Sequence, residues 1–181
     1  MSTTRIRRAV VAAIGVLAAS ASACSGADLT TDQVAQSAPQ DLCDLGSCET
    51  VTVDRVVDGD TVDVATDAGE IQRVRILGVD TPETKKPDTP VECMGPEATE
   101  ATSQIAAAGT EVTLVTDQDA DAVDNYDRRL AHLVAGDINL GEELLTRGLA
   151  TTTSFPHSLT DTYTDTENTA RDTDTGLWGQ C

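Results

Sequence analysis

The chain has 181 residues, 39% of them hydrophobic and only 2% aromatic, which allows one domain of ordinary size plus a leader. Tyr126, Phe155, Tyr163 and Trp178 are all the aromatics, so the core must come from Val, Leu, Ile and Ala, as suits a small barrel or sandwich. The formal charge of −19 keeps a chain soluble and repels nucleic acid at long range, so a nucleic-acid partner has to be argued from local residues and not from composition.

Residues 1–23 read as a signal peptide. Arg5, Arg7 and Arg8 form its basic start, and the apolar run at 9–19 is too short to span a bilayer. Ala21-Ser22-Ala23-Cys24 closes it in a way that fits either ordinary cleavage or a bacterial lipobox, although Ala21 stands where a lipobox usually has Leu. Cysteine arithmetic favours lipidation: of Cys24, Cys43, Cys48, Cys93 and Cys181, acylating Cys24 leaves four for two disulfides in an oxidising compartment. The expectation is an exported protein held at the outer face of the membrane through Cys24, with free secretion as the alternative. Residues 24–49 are polar and aperiodic and read as a tether, within which Cys43 and Cys48 are close enough for a small local loop.

From residue 50 the pattern becomes regular. Strands are expected at 50–57, 61–66 and 71–79, with Asp58-Gly59 as the hairpin turn between the first two. A helix follows at 94–109, with Pro96 in its first turn and Gly109 as its stop. Strands at 111–116 and 129–134 come next. Asn139 and Glu142 then suggest a capping box on a helix whose stripe is Leu140, Leu144, Leu145 and Leu149. A weaker, threonine-rich helix is expected in 158–176, with Leu159, Tyr163, Thr166 and Ala170 at helical spacing. Five strands with a helix between the third and fourth is the order of an OB-fold barrel, here with three helices in one domain over 50–181.

Several short stretches carry residue types suited to one chemistry. Hydrolysing a phosphodiester needs an activated water and relief of charge on phosphate as it becomes more anionic. Asp60 and Asp80, from different loops, could hold a hard divalent cation through oxygen. Glu83 could orient or deprotonate a water, and Arg75 and Arg128, on separate strands, could fork onto phosphate oxygens. Asp60 has no use as turn chemistry directly after Asp58-Gly59, which strengthens its reading as a ligand. Cys93 and Cys181 could be bridged, stapling the weak C-terminal helix to the barrel. His132 and His157 read as a strand residue and a loop residue without a functional role.

The set Asp58-Gly59-Asp60-Thr61, Arg75 five positions before Asp80-Thr81-Pro82-Glu83-Thr84, Gly95-Pro96-Glu97-Ala98, Tyr126-x-Arg128-x-Leu130-Ala131, Arg147-Gly148-Leu149-Ala150 and Gly176-Leu177-Trp178 resembles the staphylococcal nuclease family in order and spacing. The resemblance implies a Ca²⁺-dependent endonuclease of DNA and RNA on an OB-fold barrel, leaving 3′-phosphate ends. It casts Asp60, Asp80 and the Thr81 carbonyl as metal ligands, Glu83 as general base, Arg75 and Arg128 as phosphate binders and Tyr126 as a flank of the bound nucleotide. Asp58 resembles a nearby acid of the family.

The chain also departs from that pattern. After Ala150, where tyrosines stack on substrate in the family's best-known member, only Phe155 offers a ring. The basic surface that holds nucleic acid is absent, and Asp127 stands where glycine is common, able to crowd Arg128 or pair with it. Weak substrate binding by a monomer is the expectation. The alternative function is an OB-fold module, weak or inactive in catalysis, that captures nucleic acid or another ligand; a third is a Ca²⁺-stabilised envelope protein.

Overall fold

The computed structural model describes residues 42–85 and 90–181. The signal peptide, Cys24 and most of the expected tether lie outside the described residues. No helix among the described residues is long and apolar enough to cross a membrane.

The chain runs through β1 (Cys48–Asp58), β2 (Thr61–Ala65), β3 (Ile71–Ile76), β4 (Val79–Asp80), α1 (Gly95–Ile105), β5 (Glu111–Val115), β6 (Arg129–Ala135), β7 (Ile138–Asn139), α2 (Leu140–Thr146), β8 (Thr151–Thr152), α3 (Thr160–Asp172) and α4 (Leu177–Gln180). The sheet order is β3-β2-β1-β5-β6, and a parallel pairing of β3 with β6 closes it into a five-stranded barrel. Closure removes the exposed edges that an open sheet would leave. This is the expected OB-fold barrel with its three main helices, α1, α2 and α3; α4 adds one further turn.

Alternation along each strand explains the closure. Val51, Val53, Val62, Val64, Val74, Ile76, Val112, Leu114, Ala131 and Leu133 are almost fully buried and form one core with Leu140, Leu144 and Leu145 of α2. Tyr163 of α3 is the one aromatic ring wholly inside it.

Four local expectations changed. The folded unit begins earlier than residue 50: Leu42 is 2% exposed and packs with Val115 and Val134, a 3₁₀ turn spans Cys43–Leu45, and β1 starts at Cys48. Asp58 pairs with Thr61, so the hairpin turn is Gly59-Asp60 and not Asp58-Gly59. Gly59 is needed there for closeness: a Cβ would sit 2.7 Å from Thr81 Oγ1 and 2.9 Å from Ala98 Cβ. The third strand breaks at Leu77-Gly78 and resumes as β4, because Gly78 turns with φ +83° against His157 and Tyr163. Finally, Asn139 precedes α2 without a side-chain cap; its Oδ1 instead accepts the Tyr163 hydroxyl at 3.1 Å.

Both disulfides are formed. Cys43 is bonded to Cys48, and Cys93, just before α1, is bonded to Cys181 at the end of the chain.

Candidate active site

The barrel mouth gathers side chains from three separate parts of the chain. The β1–β2 turn brings Asp58 and Asp60, the end of β3 and the loop through β4 bring Arg75, Asp80, Thr81 and Glu83, and the segment before β6 brings Tyr126 and Arg128. Together with Pro82 they line one cleft of about 450 Å³. Every metal-ligand, catalytic and substrate-flanking residue expected from sequence is therefore in one place.

Asp60 is the anchor. The residue is 6% exposed; Oδ2 accepts from Thr81 N and Thr81 Oγ1, both at 2.8 Å, and Oδ1 accepts from Thr61 Oγ1 at 3.0 Å. Arg75 lies behind the cleft. Its Nη1 donates to the Val79 carbonyl at 2.7 Å and the Ile76 carbonyl at 3.2 Å, and also approaches Asp60 Oδ2 at 3.3 Å. Its Nη2 reaches Asp80 Oδ1 at 2.7 Å. One guanidinium thus fixes two aspartates as well as the backbone that carries one of them.

The charge in this cleft is frustrated. Partial burial and then the charge of Asp60 push the Asp58 carboxyl above its ordinary value. Asp80 is also raised, by desolvation first, against the attraction of Arg75, and further by Asp60, Glu92 and Glu83. Glu83 is held by its own loop: Oε1 accepts from Lys85 N at 2.7 Å, and its backbone N–H donates to Glu92 Oε2 at 2.9 Å.

Asp124 was missed by sequence reading. It accepts the backbone N–H groups of Tyr126 and Arg128 on Oδ1, both at 2.9 Å, and Arg128 Nε on Oδ2 at 2.6 Å. Arg128 also sits over the Tyr126 ring, 5.3 Å from its centroid. Asp127, in contrast, forms no ion pair with Arg128, whose partner is Asp124; it takes the left-handed conformation, φ 61°, that glycine would adopt more easily. The readable signal was the four-residue spacing of Asp124 and Arg128.

A second, more apolar hollow of about 230 Å³ adjoins the first and shares Arg75, Tyr126 and Arg128, with Leu77, Val79, Val123, Leu130 and Phe155 around it. Phe155 and Tyr126 are 68% and 81% exposed. They offer ring faces at the rim, so the single ring left after Ala150 does stand beside the cleft.

Comparison with known proteins agrees with this geometry. The family model described as "Staphylococcal nuclease homologue" matches residues 73–180, more than half of the chain. The chain belongs to the staphylococcal nuclease family. It is 39% identical over 108 residues to the thermonuclease of Staphylococcus intermedius, covering 60% of this chain and 62% of that protein. It is 41% identical over 102 residues to the thermonuclease of Staphylococcus hyicus, covering 56% and 58%. The endonuclease YncB of Bacillus subtilis is 40% identical over 100 residues, covering 55% and 46%. The chain thus spans less than two thirds of each of these relatives. The family match begins after Asp58 and Asp60, whose place in the cleft is read from the structure alone.

The oxygen-only donors fit a hard divalent cation. Burial first, and then the charge of Asp60, has raised both Asp58 and Asp80, and no hydrogen bond to the Thr81 carbonyl is found among the described residues. Oxygen ligands with water completing the shell suit Ca²⁺, Mg²⁺ or Mn²⁺ alike. A family nuclease site is expected to use such an ion.

Proposed function

We propose that this protein is a metal-dependent endonuclease that hydrolyses phosphodiester bonds of DNA and RNA to 3′-phosphate ends, with Ca²⁺ as its ion. The observation that carries the reading is the meeting of Glu83 with Arg75, Arg128, Asp60 and Asp80 in one cleft. A capture module needs charge complementarity but has no use for a carboxylate set among phosphate-binding cations.

A cation held by Asp60, Asp80 and the Thr81 carbonyl supplies charge neutralisation and polarisation of the phosphate. Glu83 takes the proton from the attacking water as the water oxygen bonds to phosphorus, the bond from phosphorus to the 5′-oxygen breaks, and the departing 5′-oxygen takes up a proton from solvent. Arg128 presents its Nη groups to the phosphate because its Nε is committed to Asp124. Arg75 is largely committed to protein acceptors, so it orients Asp80 and Asp60 as much as it binds phosphate. Tyr126 and Phe155 flank the nucleotide.

Residues 1–23 direct export, and Cys24 carries a lipid that holds a monomer at the outer face of the membrane, on a tether that ends before the domain described here. The substrate is then external nucleic acid. The test uses protein purified with its disulfides intact and single-stranded DNA, with Ca²⁺ or chelator. Cutting that chelation abolishes, and that Glu83→Gln and Arg128→Ala each depress by about a hundredfold or more, supports the reading. Binding of oligonucleotide without cutting at any salt or Ca²⁺ level would replace it with the capture module. Release of Cys24→Ser into the medium, with the native protein retained on cells, tests the anchor.

A further inference from the structure

On the outer face of β6, away from the acidic cleft, three side chains from distant parts of the chain converge. Asp117 follows β5, His132 lies in β6 and His157 precedes α3. Each offers one ligand atom, and these atoms lie within 4.8 Å of one another. All three are buried, with exposures of 7%, 0% and 5%. None of them lines the acidic cleft.

With the Asn139 amide oxygen toward Tyr163, hydrogen counting leaves this cluster one cation short of satisfied. His132 Nε2 lies 3.2 Å from Asp117 Oδ2, and Nδ1 lies 3.2 Å from the Tyr163 hydroxyl. That hydroxyl donates its one hydrogen to Asn139 Oδ1 at 3.1 Å, so it can only accept from His132. The ring hydrogen is then on Nδ1, and the Nε2 lone pair faces the Asp117 carboxylate, acceptor against acceptor. A cation between them resolves the conflict. A proton is a poor choice at neutral pH, because burial pulls the His132 pKa down to about 4. Asp117 is already held rigidly by Ser158 N at 2.7 Å, Ser158 Oγ at 2.8 Å and Asp119 N at 2.9 Å.

His157 supplies the independent observation. Its Nδ1 is buried without a hydrogen-bond partner among the described residues. A half-turn of the Asn139 amide would give its buried, unpartnered Nδ2 the Tyr163 hydroxyl and let the chain Asn139–Tyr163–His132–Asp117 close without a cation, with the His132 hydrogen on Nε2, but it would leave His157 as unsatisfied as before. His157 and the convergence of the three ligand atoms therefore carry the case. The 3.2 Å separation of His132 Nε2 and Asp117 Oδ2 is close to the edge of a tetrahedron around an ion with bonds of about 2.0–2.1 Å.

We propose that Asp117, His132 and His157 bind a borderline divalent transition ion, Zn²⁺ in the first place, with water in the fourth position. Two imidazoles and a carboxylate suit Zn²⁺ and not Ca²⁺. The Tyr163 hydroxyl accepting from His132 is the outer-sphere partner that fixes the ligating tautomer. The ion ties the segment after β8 and the start of α3 to β5 and β6. Its role is structural, and it does not rest on the nuclease reading.

The test takes the full chain, purified without a polyhistidine tag, stripped with chelator and returned to Zn²⁺ or Ca²⁺. About one Zn²⁺ per folded chain is expected, with four-coordinate visible absorption when Co²⁺ replaces it. At a hundredfold excess of free Zn²⁺ over its dissociation constant, the melting temperature rises by roughly 5–10 °C. His157→Gln and Asp117→Asn weaken Zn²⁺ about a hundredfold, whereas Asp80→Asn does not. Nitrogen NMR of the Zn²⁺-loaded wild type places the His132 hydrogen on Nδ1, a readout that needs no variant. A folded protein that retains no Zn²⁺, a His132 hydrogen on Nε2 in the presence of Zn²⁺, or zinc lost in Asp80→Asn but kept in His157→Gln would each overturn the proposal.

Discussion

Asp124 and Glu83 make different demands on the same reaction, and single substitutions separate them. Asp124→Asn retains an oxygen for the Tyr126 and Arg128 backbone N–H groups but turns an amide toward Arg128 Nε, so the turn survives while the guanidinium is released. A loss of roughly 10–100-fold in kcat/KM is expected, shared between kcat and KM. Glu83→Gln removes the proposed proton acceptor only, so kcat is expected to fall by about 10²–10⁴ while KM holds. Steady-state kinetics at saturating Ca²⁺ tests both. An Asp124→Asn enzyme with wild-type kcat/KM would show that Arg128 is not positioned by this pair. Asp58 gives a pH prediction of definite sign. Its folded pKa is raised above the unfolded value of 3.8, so the folded state keeps the proton longer and stability declines as pH rises through that window. Asp58→Asn should therefore melt higher than wild type in chelator at neutral pH, with the difference vanishing below pH 3.8.

The β1–β2 turn shows how an element serves the site. Gly59 packs directly on Thr81 and Ala98, and Thr81 in turn donates twice to Asp60. Gly59→Ala should cost about 1–3 kcal/mol by overpacking and loosen the Asp60 anchor with it, so denaturant midpoints and Ca²⁺ affinity fall together. The two disulfides differ by the loops they close. Removing Cys93–Cys181, which spans 88 residues, should cost about 4–5 kcal/mol, and removing Cys43–Cys48, which spans 5, about 2 kcal/mol. Urea unfolding of the paired Cys→Ser variants compares them. What was legible in the sequence follows the same divide. Two-residue periodicity reveals the five barrel strands because each has one face in the core. The cleft was legible because its acids and arginines stand in short ordered motifs. The two-residue strands β4, β7 and β8 carry no period. The Asn139 capping box was misread because Tyr163, which takes its oxygen, is 24 residues away. Asp117, His132 and His157 share no motif, and only closure of the barrel and docking of α3 bring them together.

For the whole molecule, the charge of −19 sets a problem that local residues cannot remove. Cleavage of the leader proposed at residues 1–23 would take Arg5, Arg7 and Arg8 with it and make the balance more negative still. Proteins that hold nucleic acid through basic surfaces lose affinity steeply as salt rises, because bound phosphates release counterions. Here only Arg75 and Arg128 among the described residues line the cleft as cations, while the field of the whole surface opposes approach. Added salt shortens the Debye length from about 30 Å at 0.01 M to about 10 Å at 0.1 M, which shields that repulsion before it reaches the short-range arginine contacts. Between these two concentrations of NaCl, kcat/KM at fixed saturating Ca²⁺ should therefore rise and not fall, through KM. Above about 0.3 M, where the Debye length approaches the contact distance, the arginine contacts weaken in their turn and the curve bends down. Initial rates on a short single-stranded oligonucleotide across this series decide the matter. A monotonic fall from the lowest salt would mean that a local basic path, and not the net charge, governs the encounter.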